Sequence, residues 1–216
     1  MYYPFKELPL DACREIEHKN RIIDTVNLSV NGDVTGEKFF NCKFVNCILF
    51  SDQIKSSLFI NCHFESCTFS SCSEYEASFV PFSNTSYFSC SFLNCDFKDF
   101  TDCYGCMVLC TIKKCRFENA KMEGFHLVTL HCIDCDIKNL SLQHATIPLL
   151  LLKNCQVENL DFSKSKIASL SIHQGSYENM HFDGAEIISF VSNGASGDFS
   201  HVSYGENCSI PDFYFR

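Results

Sequence analysis

Two pairs of closely spaced cysteines are the residues of this sequence that most resemble a chemical site. Cys103 and Cys106 form one Cys-x-x-Cys pair, and Cys132 and Cys135 form another. Thiolates at this spacing are common ligands of structural zinc, and a single pair can also act as a redox dithiol. The two pairs can share a metal only if the fold brings the second within reach of the first.

The eight histidines add no recognisable catalytic site. No His stands at a readable spacing from a Ser or Cys nucleophile. The sequence also contains neither a glycine-rich phosphate loop nor a His-Glu-x-x-His zinc motif. We therefore expect a protein that is not an enzyme and that binds no cofactor.

A five-residue repeat organises the greater part of the chain. Between Tyr87 and Val202 nearly every fifth residue is bulky and apolar, and the residue two places before it is often Cys, Ala, Ser or Gly. The same spacing runs from Val34 to Phe69. A period of five matches neither the 3.6-residue period of an amphipathic helix nor the two-residue alternation of a long strand. Fixed periodicity of this kind indicates a repeat architecture.

The repeated units resemble those of the pentapeptide-repeat family, and examples are NCKFV, NCHFE, SCTFS, NCDFK and GAEII. The resemblance implies an all-β fold, a right-handed quadrilateral β-helix of about eight coils in which four pentads form one square coil. It also implies that the bulky residue and the small residue two before it point inward. The other three positions of each pentad would then face solvent.

Steps of twenty residues support a square coil independently. They place Cys95, Cys115, Cys135 and Cys155 in one column and Asn119, Asn139, Asn159 and Asn179 in another. Stacked coils are separated by about 4.8 Å, the distance between paired strands. The Asn column is therefore predicted to form an amide ladder.

Most of the sixteen cysteines fall at the small inward position. These are Cys42, Cys47, Cys62, Cys67, Cys72, Cys90, Cys95, Cys110, Cys115, Cys135 and Cys155. A buried free Cys behaves as a small apolar residue, so we expect reduced thiols in the core. The register places Cys103 and Cys106 at outward positions beside His126, away from the second pair, so no metal site is expected.

The ends of the chain and one internal segment interrupt the repeat. Residues 1–30 are predicted to be an N-terminal cap with a short helix over 10–19, because a solenoid needs covered ends. The solenoid itself is predicted over 31–204, and the aromatic tail 205–216 is predicted to cap the last coil or to mediate a homodimer. Between Phe79 and Tyr87 three residues are inserted, which predicts a contact loop near 80–86 that includes Pro81, Phe82 and Asn84.

One outward column is apolar rather than polar. It contains Val108, Val128, Pro148, Ala168 and Ile188, and the adjoining outward positions add Leu109, Leu149 and Leu151. Isolated apolar residues on a surface are ordinary. Because these residues recur on one wall, we expect them to bind a partner protein.

A second outward column becomes acidic along the chain and includes Glu158, Glu178 and Asp198. The formal net charge of the chain is −9, which argues against direct binding of nucleic acid. An anionic rod could instead occupy a DNA-binding groove of another protein.

Composition restricts the location of the protein. The sequence has no apolar run long enough for a transmembrane helix and no secretory signal pattern at its start, so no membrane association is expected. Reduced thiols favour the cytoplasm, or the host cytosol if the chain is exported by a specialised machine.

Three functional classes fit these features. The chain resembles quinolone-resistance and topoisomerase-protecting pentapeptide proteins, which implies a dimeric DNA mimic that binds DNA gyrase or topoisomerase IV. It also resembles the pentapeptide modules of bacterial type III secreted effectors, which implies an adaptor that acts on host proteins. The third class is a general protein-interaction scaffold. The tail, which lacks a helical pattern, and the single insertion depart from the topoisomerase-protecting type.

Overall fold

The computed structural model describes residues 16–24, 34–71, 84–195 and 214–215, and these residues form β-strands and turns without a helix. The strands are β1 (Glu17–Lys19), β2 (Ile22–Asp24), β3 (Lys38–Phe40), β4 (Lys43–Val45), β5 (Ile48–Phe50), β6 (Leu58–Ile60), β7 (His63–Glu65), β8 (Thr68–Ser70), β9 (Ser86–Phe88), β10 (Ser91–Leu93), β11 (Asp96–Lys98), β12 (Cys106–Lys113), β13 (Arg116–Lys121), β14 (His126–Ile133), β15 (Asp136–Ser141), β16 (Thr146–Asp161), β17 (Lys166–His181), β18 (Glu186–Asn193) and β19 (Tyr214–Phe215). All the described strand pairings are parallel, and no described helix is long and apolar enough to cross a membrane.

The register of the strands defines a square coil. Met107 pairs with Leu127, Phe117 pairs with Ile137, and both offsets are twenty residues, or four pentads. We number the four walls in chain order, so that walls 1, 2, 3 and 4 contain the inward residues Met107, Ile112, Phe117 and Met122, respectively. About eight such coils stack into a β-helix, which confirms the predicted fold.

Left-handed corners turn the chain from one wall to the next. Asn119, Asn139 and Asn159 occupy this position with φ between 53° and 59°. Asn tolerates this region better than most residues with a side chain. Asn139 donates its Nδ2–H to Oδ1 of Asn119 at 2.8 Å, and Asn159 donates to Asn139 at 2.8 Å. The predicted amide ladder is therefore confirmed along these coils.

Aromatic stacks fill the interior of the early coils. Phe44 and Phe64 stack with ring centroids 4.7 Å apart, and Phe97 and Phe117 stack at 4.5 Å. These distances are close to the coil spacing, because equivalent residues lie directly above one another. In later coils many of the large rings give way to aliphatic residues such as Leu150, which is buried. A small apolar cavity of about 20 Å³ lies where the two kinds of packing meet.

The prediction of an N-terminal helix over 10–19 is wrong for residues 17–19, which the structure describes as a strand. Glu17–Lys19 is strand β1, which pairs with β3, and the His18 ring stacks on Phe39 at 4.6 Å. His18 thus takes the place of a bulky inward residue, so the solenoid already includes residue 17. Residues 1–15 lie outside the described part of the chain.

The insertion is longer than predicted. Leu58 pairs with Ser86, and His63 pairs with Ser91. Both offsets are 28 residues, so this coil contains eight extra residues, and the prediction of three is wrong. The sequence-based count treated Phe79 as an inward residue of the repeat, whereas the strand register places Tyr87 directly after Phe59 in the stack. Residues 72–83 lie outside the described ranges.

The last coil receives a short strand from the tail. Tyr214 and Phe215 of β19 pair with Val191 and Ser192 of β18. Their backbone therefore lies along part of the terminal edge, which a solenoid must cover to prevent further strand pairing. The neighbouring residues 196–213 and Arg216 are outside the described part, so the boundaries of this cap stay a prediction.

Candidate partner-binding wall

Wall 1 carries the predicted apolar residues in one straight column. Val108 pairs directly with Val128. Pro148 lies beside Val128, in the next coil. This follows from the pairs on either side of it, which are His126 with Thr146 and Leu130 with Leu150. Ile188 follows two coils later and is 75% exposed. We call this line of side chains the apolar column.

The apolar column is longer than the sequence analysis indicated. Phe40 pairs with Ile60, Ile60 pairs with Phe88, and Phe88 pairs with Val108. The complete column is Phe40, Ile60, Phe88, Val108, Val128, Pro148, Ala168 and Ile188. Phe40 and Ile60 were missed because the insertion was counted as three residues, which assigns the earlier coils to the wrong wall. Phe88 follows the insertion and lies twenty residues before Val108, so the sequence pattern alone could have identified it. The 28-residue step from Ile60 to Phe88 cannot be read without the strand register.

The other three predicted residues lie where wall 1 meets wall 2. Leu149 is at the corner that ends wall 1 and is 38% exposed. Leu151 is the first outward residue of wall 2 and is half-buried. Leu109 lies at the corresponding corner two coils earlier and is 59% exposed. The apolar surface therefore extends around this corner.

Wall 1 also lacks charged side chains over its central part. The five described strand segments 58–61, 86–89, 106–109, 126–129 and 146–149 contain no Asp, Glu, Lys or Arg. Wall 3 carries at least one charged residue on every coil from Asp96 to Glu178. Depletion of charge is a feature of the buried centres of protein interfaces.

Two titratable groups of this wall are held neutral. Burial lowers the pKa of His126 below its ordinary value. Burial also raises the pKa of the adjacent Cys106 thiol, which pairs with His126 across the coils. Both shifts favour the uncharged form at neutral pH, because a partly buried site disfavours charge.

The predicted acidic column lies on wall 3 and alternates in sign over its first four described residues. Lys98, Glu118, Lys138 and Glu158 follow one another at the same outward position. Lys138 Nζ is 3.2 Å from Glu158 Oε2, and this carboxylate raises the pKa of Lys138. Glu178 is exposed beyond this alternating segment, while Asp198 lies outside the described residues. The described column is thus mixed in sign at first and acidic at its last two residues, Glu158 and Glu178.

The predicted contact loop is only partly described. Asn84 is exposed and has φ of 46°. Pro81 and Phe82 lie outside the described residues. The role of this loop stays a prediction.

The four cysteines of the two Cys-x-x-Cys pairs are all buried. Cys132 and Cys135 are buried inward, as expected, but Cys103 and Cys106 are also buried, with only 7% and 8% of their surface exposed. The expectation that both residues face solvent is therefore wrong. Among the described residues no group of three or more potential ligands is positioned to hold a metal.

The inward cysteines are free and buried wherever they are described. Many of these thiols donate to backbone carbonyls, as Cys110 does to Tyr87 O at 3.4 Å and Cys155 does to Cys132 O at 3.5 Å. Burial raises the pKa of the Cys132 thiol well above its ordinary value. Cys132 is therefore a neutral packing residue rather than a nucleophile.

One contact on wall 2 was not foreseen. His63 Nδ1 lies 2.6 Å from Ser91 Oγ, although the sequence spacing suggested no pairing of a His with a Ser. Glu65 is 3.9 Å from His63 Nε2 and only 2.6 Å from Lys43 Nζ, so its charge is directed mainly to the lysine. Strands β7 and β10 already use their backbone N–H groups in the ladder, which leaves no backbone donor on these two strands for an oxyanion.

The fold places the chain among structures of pentapeptide-repeat proteins. HetL, a pentapeptide repeat protein involved in heterocyst differentiation regulation from the cyanobacterium Nostoc sp. strain PCC 7120, aligns with a TM-score of 0.53 and 12% identity, covering 92% of this chain and 88% of that one. Full-length QnrB1, a plasmid-mediated fluoroquinolone resistance protein, aligns with a TM-score of 0.32 and 16% identity, covering 85% of this chain and 94% of that one.

The first alignment establishes the class of fold, a pentapeptide-repeat β-helix, and confirms the resemblance at that level. No protein-family model matches the chain, and no curated protein sequence matches it.

Proposed function

We propose that this protein is a non-enzymatic interaction scaffold that binds a partner protein through wall 1, centred on Val128 and Pro148. The observation that carries this proposal is the coincidence of the apolar column with an uncharged stretch of five strand segments. We place this activity in the cytoplasm, or in a host cytosol if the chain is exported. We expect neither nucleic acid nor a membrane to be the ligand.

The solenoid itself does not require this surface. The inward residues already form a continuous core, in which Leu127 and Ile147 are fully buried. Pro148 and Ile188 point outward and contribute nothing to that core. Contiguous exposed apolar surface on a folded domain typically marks an interaction site. Burial of such surface, at about 25 cal/mol per Å², would favour binding.

A matched pair of variants tests the proposal. Val128→Asp places a charge in the centre of wall 1, whereas Ile133→Asp makes the same change on wall 2, at the equivalent half-buried outward position. Ile133 lies between Lys113 and Lys153, which would accommodate the new carboxylate. Each tagged protein is used to capture partners from a lysate of the source cell, and bound proteins are quantified by mass spectrometry.

We expect Val128→Asp to lose its specific partner and Ile133→Asp to keep it. Both variants should unfold at similar urea concentrations, because neither substitution reaches the core. Equal capture by the two variants would show that wall 1 is not the binding surface.

A topoisomerase is a second candidate partner. It is supported by the net charge of −9 and by exposed Glu158 and Glu178 on wall 3. The alternation of Lys and Glu before Glu178 weakens this support, because a DNA mimic needs a continuous negative field. Titration into a gyrase supercoiling assay, with and without a quinolone, tests it. Protection or inhibition at submicromolar protein would make gyrase the leading partner, and no effect at tens of micromolar would remove it.

An adaptor role in a host cell is the remaining alternative. It would use the same wall with a host protein as partner, so capture from host-cell lysate with the same two variants distinguishes it from a partner in the producing cell.

A further inference from the structure

We propose that the partner presents an amphipathic α-helix that lies along wall 1, parallel to the solenoid axis, with its apolar stripe on the column from Ile60 to Pro148. This proposal rests on the proposed function and specifies the kind of partner. It follows from the hydrogen bonding, dimensions and charge of the wall.

Most backbone groups of the described strands of wall 1 already take part in the parallel ladder, apart from those at Pro148, which has no N–H to donate. Strand segment 126–128 of β14 pairs on one side with β12, and β14 pairs on the other side with β16. The next segments are paired likewise, as Lys166 and Ile167 are with Glu186 and Ile187. An extended peptide laid on this wall would bury its own N–H and C=O groups without partners, which is costly. A helix satisfies its backbone internally and avoids that cost.

The dimensions of the wall match a helix. Three residues span a wall, which gives a width of about 10 Å at roughly 3.3 Å per residue. A helix with its side chains is about 10–12 Å in diameter. The five uncharged segments extend for about 24 Å at 4.8 Å per coil, which corresponds to about sixteen helical residues. The helical pitch of about 5.4 Å is also close to the coil spacing, so successive turns can contact successive coils.

The same dimensions disfavour a second copy of this chain as the occupant. The eight coils of the apolar column extend for about 38 Å, so two flat walls facing each other would bury on the order of 400 Å² per partner. Stable interfaces usually bury about 800 Å² per partner. A helix can also direct side chains around the corner to Leu151 and Leu109, which a rigid flat wall does not reach as readily.

The charge pattern specifies the contacting face of the helix. An ionised side chain placed over Val108 or Val128 would lose water without gaining a partner. Charged residues exist at the two ends of the wall, where Lys38 and the Lys166–Glu186 pair are found. The contacting stripe should therefore be uncharged for about four turns, and charged residues should occur on its far side and beyond its ends.

Selection from a displayed library of random 16-residue peptides tests this inference. The full chain is immobilised, and peptides that also bind Val128→Asp are removed. We expect the remaining peptides to carry apolar residues at i, i+3, i+4 and i+7. By fluorescence anisotropy they should bind Val128→Asp at least tenfold more weakly than Ile133→Asp, and a central proline should abolish their binding.

Several other outcomes would contradict the proposal that the partner presents a helix. Enrichment of alternating or proline-rich peptides, tolerance of a central proline, or no enrichment dependent on Val128 would each contradict it. A dimer lost in Val128→Asp by sedimentation would identify a second copy as the occupant instead. If capture from lysate still depends on wall 1, the proposed function stands while the helix fails. If neither experiment depends on wall 1, both proposals fail.

Discussion

The corner residue of each pentad determines how tightly the chain can turn. Asn139 has φ of 54° and both donates to Asn119 and accepts from Asn159. The residue thus combines tolerance of a left-handed backbone with a bond to each neighbouring coil. At other corners Lys114 and Thr129 adopt the same conformation, so Asn is favoured there but not required.

Two substitutions of Asn139 separate these contributions. Asn139→Gly keeps the backbone free to adopt positive φ and loses the ladder bonds, whereas Asn139→Ala loses the bonds and adds left-handed strain. We expect Asn139→Ala to lower the free energy of unfolding by about 2 kcal/mol and Asn139→Gly by about 1 kcal/mol. Urea unfolding followed by circular dichroism measures both. Equal losses would show that strain at this corner is negligible.

Gly175 is a second residue whose backbone restricts substitution. It occupies the inward column of Cys115, Cys135 and Cys155, where a repeat consensus would suggest Cys or Ala. Its φ is +94°, and an added Cβ would lie 2.2 Å from the carbonyl oxygen of Cys155. Backbone at that distance cannot move aside without disturbing the coil.

We therefore expect Gly175→Ala to lower the free energy of unfolding by about 2–3 kcal/mol. Cys155→Ala, one coil earlier in the same column, should cost only about 1 kcal/mol, since it removes a small group without adding a clash. Thermal unfolding of the two variants compares them. A Gly175→Ala protein as stable as Cys155→Ala would mean that the backbone at this position can relax.

At the scale of the strands, pairing places like positions of successive coils side by side. Oppositely charged residues use this arrangement on the polar walls, as Arg116 does with Asp96 at 3.0 Å. Exposed pairs of this kind contribute little to stability. The alternation of charge from coil to coil nevertheless favours the observed strand register. If a strand paired with the coil after next instead of its neighbour, like charges would lie side by side.

The strands of wall 1 lead to a prediction about pH. Burial holds the pKa of His126 below that of an unfolded His, which is about 6.5. Its contribution to the free energy of unfolding is therefore complete above about pH 6.5 and is lost as the pH falls through the lowered folded value. A bound partner would bury His126 further, so binding should also weaken as the pH falls from about 7.5 to about 5.5.

The variant His126→Gln isolates this effect. It keeps a polar side chain at the position between Cys106 and Thr146 but cannot take up a proton. Partner affinity measured by titration should then vary much less over the same pH range. An unchanged pH dependence in this variant would assign the effect to other groups.

The sequence predicted walls and columns well wherever the period was unbroken. From Cys95 onward, steps of five and twenty residues correctly placed the inward cysteines and the Asn ladder, because each position repeats the same local environment. The errors came at interruptions. His18 was assigned to a helix since an isolated pentad has no periodic signal, and the eight-residue insertion was miscounted because Phe79 fits the pattern by chance.

Charge and burial were harder to predict than register. The alternation of Lys138 and Glu158 was readable, but their contact depends on side-chain conformations that a sequence does not give. Cys103 and Cys106 were expected at outward positions facing solvent, whereas both are buried. The apolar column was predicted from Val108 onward. Phe40 and Ile60 could not be placed because their wall depends on the insertion length, whereas Phe88 was within reach of the twenty-residue period and was overlooked.

At the scale of the whole molecule, the buried thiols report on global unfolding. Thirteen free cysteines are described, and all are buried. We expect at most three of the sixteen to react rapidly with N-ethylmaleimide in the native protein, namely those outside the described residues, Cys13, Cys72 and Cys208. All sixteen should react in urea. Mass spectrometry counts the adducts, and rapid native labelling of Cys110 or Cys135 would contradict the packing described.

Because four pentads make one coil, the number of residues that precede a side chain determines the wall on which it lies. The eight-residue insertion occurs within one coil and leaves the later coils in phase, since Ser86 still lies above Leu58. Removing one pentad from an early coil would instead rotate everything that follows by a quarter turn. The apolar column would then be divided between two adjacent walls, although every inward residue would still face inward. Deletion of one pentad can therefore abolish partner recognition solely by rotating the later coils relative to the earlier ones. Deletion of a complete twenty-residue coil would instead shorten the docking surface and keep the apolar column aligned.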